Sequence, residues 1–218
     1  MKRLLLTTIS LLLTYLSYSQ PFISEIKAFE KQDSISMPAK GQILLVGSST
    51  FRFWTTSKED LEGYSTINRG FGGSQMSDAN FYFDRIVAKY EPSFILVYEG
   101  DNDLAAGESP ESIFEDFKIF AEKVKTQLPN TKVGYFSIRP SIARTNIRDK
   151  QIQTNQLIGN FCKQNKGFYF IDIYKEYFLP NGELMLDVFV SDKLHLNKKG
   201  YEIWTKATRK FLKKRFKG

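Results

Sequence analysis

Two serines, Ser48 and Ser49, close the apolar run 42–47 and open a more polar stretch. A serine at such a strand-to-helix turn becomes a nucleophile if an imidazole takes its proton and a carboxylate fixes the tautomer of that imidazole. The chain contains one histidine, His195, and Asp192 stands three residues before it, close enough to pair within one turn. Acyl transfer also needs donors for the oxygen of the tetrahedral intermediate, which a glycine-turn N–H and an asparagine amide supply. Gly73, within Asn68-Arg69-Gly70-Phe71-Gly72-Gly73-Ser74, and Asn102, within Glu99-Gly100-Asp101-Asn102-Asp103, are the candidates. Each residue alone has an ordinary reading as helix cap, structural histidine or turn. Their joint order is what points to a serine acyl-transfer site, with either serine of the pair able to attack.

Other chemistries fit less well. Glu99, Asp101, Asp103 and Asp192 are the carboxylates that could gather round a hard cation. Three of them alternate along one segment, whereas such a site wants several oxygens converging, so no metal is expected. One cysteine, Cys162, and one histidine exclude an intrachain disulfide and a Cys/His zinc cluster. Lying among Ile158 and Phe161, Cys162 reads as a small buried apolar residue. The acyl chemistry needs no cofactor. Phe51, Phe53 and Trp54, just beyond the serines, either border the acyl or alcohol pocket or pack a helix onto the sheet. Arg139-Pro140-Ser141 frames the cleft or makes a plain turn.

Elements that could position these residues follow from periodicity. Short apolar runs at 42–47, 64–68, 93–98, 131–138 and 168–173 read as strands. Between them, Ile113, Phe117, Phe120, Ala121, Val124 and Leu128 recur at helical spacing, and Ile147, Leu157, Ile158 and Phe161 more loosely so. The segment around Ile26 to Lys31 has helical potential. Such alternation predicts an α/β fold, a parallel sheet with helices on both faces, with 42–47 and 93–98 as central strands. Ligands of such sheets bind outside the carboxyl ends of the strands, where the Ser48-Ser49, Gly73 and Asn102 segments fall. Gly73 and Asn102 are expected on neighbouring strand ends.

Charge is unevenly distributed. The net +7 includes +8 from residues 198–218 and +2 from Lys2 and Arg3, leaving −3 over residues 20–197. In the last segment Tyr201, Trp204, Thr208, Phe211 and Leu212 share one helical face and the lysines and arginines mostly another, as in a closing helix with a solvated basic side. Membrane-surface contact through that side is the rival reading and is not expected to be its main role; nucleic acid is not an expected partner. Residues 1–19 combine a charged start, a short apolar stretch and small residues before Gln20, the pattern of a signal peptide on a secreted or periplasmic protein. Residues 20–218 then form one domain.

The four blocks Gly47-Ser48-Ser49-Thr50, Asn68 to Ser74, Gly100-Asp101-Asn102-Asp103 and Asp192-Lys193-Leu194-His195 together resemble the SGNH or GDSL hydrolases, most of all the esterases similar to platelet-activating-factor acetylhydrolase and bacterial sugar-ester deacetylases. Ser48 and Thr50 depart from the aspartate and leucine of the usual first block. The resemblance implies a flavodoxin-like three-layer α/β/α domain with Ser49 as nucleophile and Asp192 and His195 as its partners. It also implies an oxyanion hole made by the N–H groups of Ser49 and Gly73 and the side chain of Asn102. The expected substrate is a small-molecule or carbohydrate ester with a short acyl group such as acetyl. The alternatives are a lysophospholipase-type lipid hydrolase and a non-catalytic binder using the same cleft.

Overall fold

The computed structural model describes residues 21–216, so the expected leader at 1–19 lies outside them. Five strands, β1 (Ile43–Gly47), β2 (Thr66–Gly70), β3 (Phe94–Tyr98), β4 (Lys132–Phe136) and β5 (Phe168–Ile171), form one parallel sheet in the order β2-β1-β3-β4-β5. The helices are α1 (Ile23–Ile35), α2 (Ser49–Arg52), α3 (Ser57–Asp60), α4 (Met76–Phe81), α5 (Phe83–Ile86), α6 (Asp101–Ala105), α7 (Pro110–Gln127), α8 (Arg148–Gln164) and α9 (Lys198–Arg215). No helix among the described residues is long and apolar enough to cross a membrane.

Every residue of β1 and β3 is buried, which explains why their runs are apolar without alternation. Two cores flank the sheet. One holds Leu44, Val46, Ile95 and Val97 against α1, α4, α5, α7 and α8. The other holds Ile43, Leu45, Leu96 and Tyr98 against Phe51, Trp54 and Trp204. The expected three-layer α/β arrangement is thus present. α7 starts where Ser109 accepts the N–H of Ser112 and Pro110 supplies a preset φ, a cap worth about 1 kcal/mol. Asn197 caps α9 in the same way through the N–H of Gly200 at 3.1 Å.

Two expectations are corrected. The second strand lies two residues later than 64–68, because Gly70 pairs with Gly47 and draws the buried Arg69 into the sheet, where it meets Asp33 at 2.5 Å and Tyr90 at 2.6 Å. Gly73 and Asn102 do not follow neighbouring strands either. β1 runs between β2 and β3, so the two segments flank the end of β1, where strand order reverses and an open sheet leaves its crevice.

Candidate active site

Ser49 occupies that crevice as the first residue of α2. β1 and β3 approach so closely here that a Cβ on Gly47 would lie 2.1 Å from the Tyr98 carbonyl oxygen; only glycine fits. Ser48 donates its N–H to that oxygen at 3.1 Å, is buried, and caps the turn through its own carbonyl, which accepts from Phe51 and Arg52. Ser49 turns outward instead. As the first residue of a helix, its N–H has no carbonyl a turn behind it.

The Ser49 Oγ lies 2.9 Å from His195 Nε2, and His195 Nδ1 lies 2.6 Å from Asp192 Oδ2. Asp192 and His195 share one tight turn, not a helical one. Asp192 Oδ1 accepts the N–H groups of Leu194 and His195, each at 2.8 Å, while Lys193 takes φ 60 in the left-handed region. The turn is held from outside by Arg139, whose Nη2 donates to the Leu194 carbonyl at 2.8 Å, and by Ala143, whose N–H donates to the Lys193 carbonyl at 3.1 Å. Burial opposes the charge of Asp192, but the bonds from the His195 ring and the two N–H groups outweigh it and hold the carboxyl down at about 2. Asp192 is therefore anionic across the working range and suited to stabilise an imidazolium.

Beyond the end of β3, the Asn102 side chain donates to the carbonyl of Ser74 at 2.9 Å, which ties it to the segment that carries Gly73. One amide hydrogen is thereby used and the second is left for a ligand. Gly73 has φ 84, a left-handed conformation that glycine adopts without strain. The structure thus gathers all five expected residues at the ends of β1, β2 and β3 and in the turn before α9. The arrangement can pass a proton from a serine to an imidazole.

The sequence profile of the GDSL-like lipase/acylhydrolase family matches residues 44–203, most of the chain. The chain belongs to this family. Membership makes it a carboxylic ester hydrolase. In fold it is similar to a GDSL-like lipase from Bacteroides thetaiotaomicron, with a TM-score of 0.72, 20% identity and 87% and 97% of the two chains covered. A lipase/acylhydrolase from Enterococcus faecalis superposes with a TM-score of 0.66 at 19% identity, covering 81% of this chain and 97% of that one. A family 3 carbohydrate esterase from Talaromyces cellulolyticus gives 0.63 at 17%, covering 80% and 97%. No curated protein sequence matches this hydrolase.

Three supports of the hydrolase site were not evident in the sequence. Arg144, in the irregular stretch before α8, donates from Nη2 to Asn102 Oδ1 at 2.9 Å and pairs with Asp101 at 3.3 Å. Glu25 of α1 accepts the N–H of Gly72 at 3.1 Å and pairs with Arg52 at 2.8 Å. Glu99 lies 2.6 Å from Ser74 Oγ, fully buried. Burial, with the nearby Asp103, raises the Glu99 carboxyl well above the ordinary range. Ser74 has one hydroxyl proton and the Phe71 carbonyl 3.0 Å away to receive it, so the acid proton of Glu99 completes the second bond. Asp103 is likewise raised, to about 7, by burial against the N–H bonds of Met76 and Gly100 that oppose it. A buried acid at the end of an apolar strand was the signal available for Glu99; Arg144 offered none.

The remaining expectations divide. Phe51 and Trp54 are core residues packed on Trp204, at 5.5 and 6.2 Å between ring centroids. Phe53 is 46% exposed and meets the His195 ring edge-on at 4.9 Å, so it alone of the three borders the site. Arg139 is buried behind the histidine turn instead of lining an open cleft. Cys162 is buried, and burial pushes its thiol up to about 12. Glu99, Asp101, Asp103 and Asp192 each have different protein partners: Ser74, Arg144 with Gln151, Met76 with Gly100, and His195.

Proposed function

We propose that this hydrolase is a serine esterase acting on short acyl esters, with carbohydrate acetates as its substrate class. Ser49 Oγ attacks the ester carbonyl and His195 Nε2 takes its proton. The tetrahedral oxyanion is met by the N–H groups of Ser49 and Gly73 and by the free amide hydrogen of Asn102. Collapse expels the alcohol, which leaves with the proton from His195. Water, activated by the same imidazole, then releases the carboxylic acid and restores Ser49. The observation that carries the reading is the unbroken line Ser49–His195–Asp192 at 2.9 and 2.6 Å. A binder would have no use for it.

Support for a short acyl group comes from what borders His195. Its exposed apolar neighbours by ring or backbone contact are Phe53 and Val190, a small area for a long chain to occupy. Likeness to a carbohydrate esterase favours sugar alcohols. The pattern of residues 1–19 supports export to the periplasm or beyond. Release of acetate from acetylated glycans, compared with turnover of p-nitrophenyl acetate, butyrate and octanoate, tests the substrate class. A preference for octanoate would favour the lipid-hydrolase alternative, and no turnover of any ester together with no fluorophosphonate adduct on Ser49 would favour the binder.

A further inference from the structure

Three strands away from β1, β5 forms one edge of the sheet among the described residues. Its sequence, Phe168-Tyr169-Phe170-Ile171, carries no charge to discourage pairing. Alternate residues of a parallel strand bond to one neighbour. Gly167 and Ile171 accept from Val133 and Ser137 of the β4 side, so Phe168 and Phe170 turn their peptide groups outward. The N–H of Phe168 is taken by Asn165, which among the described residues leaves the Phe168 carbonyl and both backbone groups of Phe170 open.

This edge is the floor of a groove of about 1490 Å³ whose walls are α8 and α9, one from each layer of the sandwich. The α9 wall presents Lys206, Lys210 and Lys214, and the α8 wall Gln156, Asn160 and Gln164, all six exposed. Both sets are spaced four residues apart, a rise of about 6 Å per step along a helix. Side chains on one face of an extended strand recur at about 6.7 Å, and its two faces alternate. A strand added to β5 would therefore direct every second side chain at the lysine ladder and the others at the amide ladder. Eight Lys or Arg line the groove against three Asp or Glu.

We propose that the β5 edge and the groove between α8 and α9 bind an extended acidic peptide as an added strand, with alternate carboxylates on the lysines of α9. Backbone bonds would give affinity and the alternation specificity, as in other strand additions. A second copy of the chain would bring two lysine ladders together. Residues 1–20 contain no acidic residue and do not match the groove either. A planar anionic surface could meet the lysines but not the recessed strand edge.

The test is fluorescence anisotropy of the full chain with a labelled peptide of alternating Glu and Thr. A peptide of equal composition with all Glu preceding all Thr serves as comparison. The alternating peptide is expected to bind at least about tenfold more tightly, and backbone N-methylation at every second residue to abolish that advantage. The double variant K206E/K210E should lose at least about tenfold in affinity while hydrolysis of p-nitrophenyl acetate stays unchanged, the ladder being remote from Ser49. Equal binding of the two peptides would show charge attraction alone and overturn strand addition. Tighter capture of polygalacturonate would reassign the groove to an acidic glycan, anionic vesicles binding where neither peptide does would reassign it to a membrane surface, and dimerisation abolished by K206E/K210E would reassign it to a second copy. Any of these ends the proposal.

Discussion

Arg144 sets the direction of the Asn102 amide. Its guanidinium donates to Asn102 Oδ1 at 2.9 Å, which leaves Nδ2 to face Ser74 and the crevice. An asparagine flipped the other way would present an acceptor to a developing oxyanion. In the proposed mechanism the bond is thus a positioning contact, and its value lies in the transition state.

Removing the donor itself in Asn102→Ala should lower kcat by about 10² to 10³ with KM nearly unchanged. Arg144→Ala should cost about tenfold to a hundredfold in kcat by loosening the same donor. In the double variant the losses should not multiply, because both act through one amide. Steady-state kinetics on p-nitrophenyl acetate decide the matter; fully multiplicative losses would separate Arg144 from Asn102.

The two adjacent serines should behave very differently. Ser49→Ala is expected to lose on the order of 10⁴-fold or more in kcat with the fold intact. Ser48→Ala should retain most activity, since Ser48 is buried and its backbone, not its hydroxyl, makes the capping bonds. Mass spectrometry of the fluorophosphonate adduct should place it on Ser49, and a label on Ser48 would refute the assignment.

Asp192→Asn keeps the shape of the turn but replaces the carboxylate facing His195 Nδ1. The imidazole then loses both its fixed tautomer and its counter-charge, and kcat should drop by about 10⁴ at neutral pH. Because Asp192 is held at about 2, the wild-type enzyme should not lose activity through its protonation above pH 4. The kcat profiles of the two proteins between pH 4 and 9 provide the comparison.

Glu99 gives stability an opposite pH dependence from that of Asp192. Its folded carboxyl titrates well above the ordinary value, so the folded state holds a proton that the unfolded chain gives up. Its protonated form therefore supports the fold fully at pH below about 4.5, and that support fades as pH rises toward the folded value. Asp103 contributes in the same sense up to about 7. Glu99→Gln, which can still donate to Ser74, should flatten the fall in melting temperature between pH 5 and 9 while keeping kcat within a few-fold. Glu99→Ala should lose both stability and kcat. Identical pH slopes for wild type and Glu99→Gln would mean that Glu99 is ionised in the fold.

Legibility in the sequence followed the rarity of the residue types. His195 was findable because no other imidazole competes with it, and β1 and β3 because burial on both faces removes every polar residue from Ile43–Val46 and Phe94–Val97. β2 starts later than its pattern suggests because Tyr64 has a strand-like side chain ahead of Thr66 and Ile67, whereas Arg69 has a charge that its buried bonds to Asp33 and Tyr90 make compatible with a strand. Strand order is a tertiary fact that alternation of elements does not encode, so the sequence puts Gly73 and Asn102 on adjoining strands although β1 lies between them. Arg144 sits outside any periodic segment, and its use depends wholly on where the chain returns.

The docking of α9 also fixes when this enzyme becomes able to act. Trp204 packs on Phe51, Tyr98 and Phe136, residues that were synthesised long before it, and the turn carrying His195 ends where this helix begins. A chain still emerging from the ribosome can complete the sheet and display Ser49 with no proton acceptor, since 146 positions separate the serine from its imidazole. This is contact of very high sequence separation, the kind that closes late. On the proposed mechanism, hydrolytic competence thus waits for the segment that carries His195 and α9, and a copy that stops short of it is chemically silent.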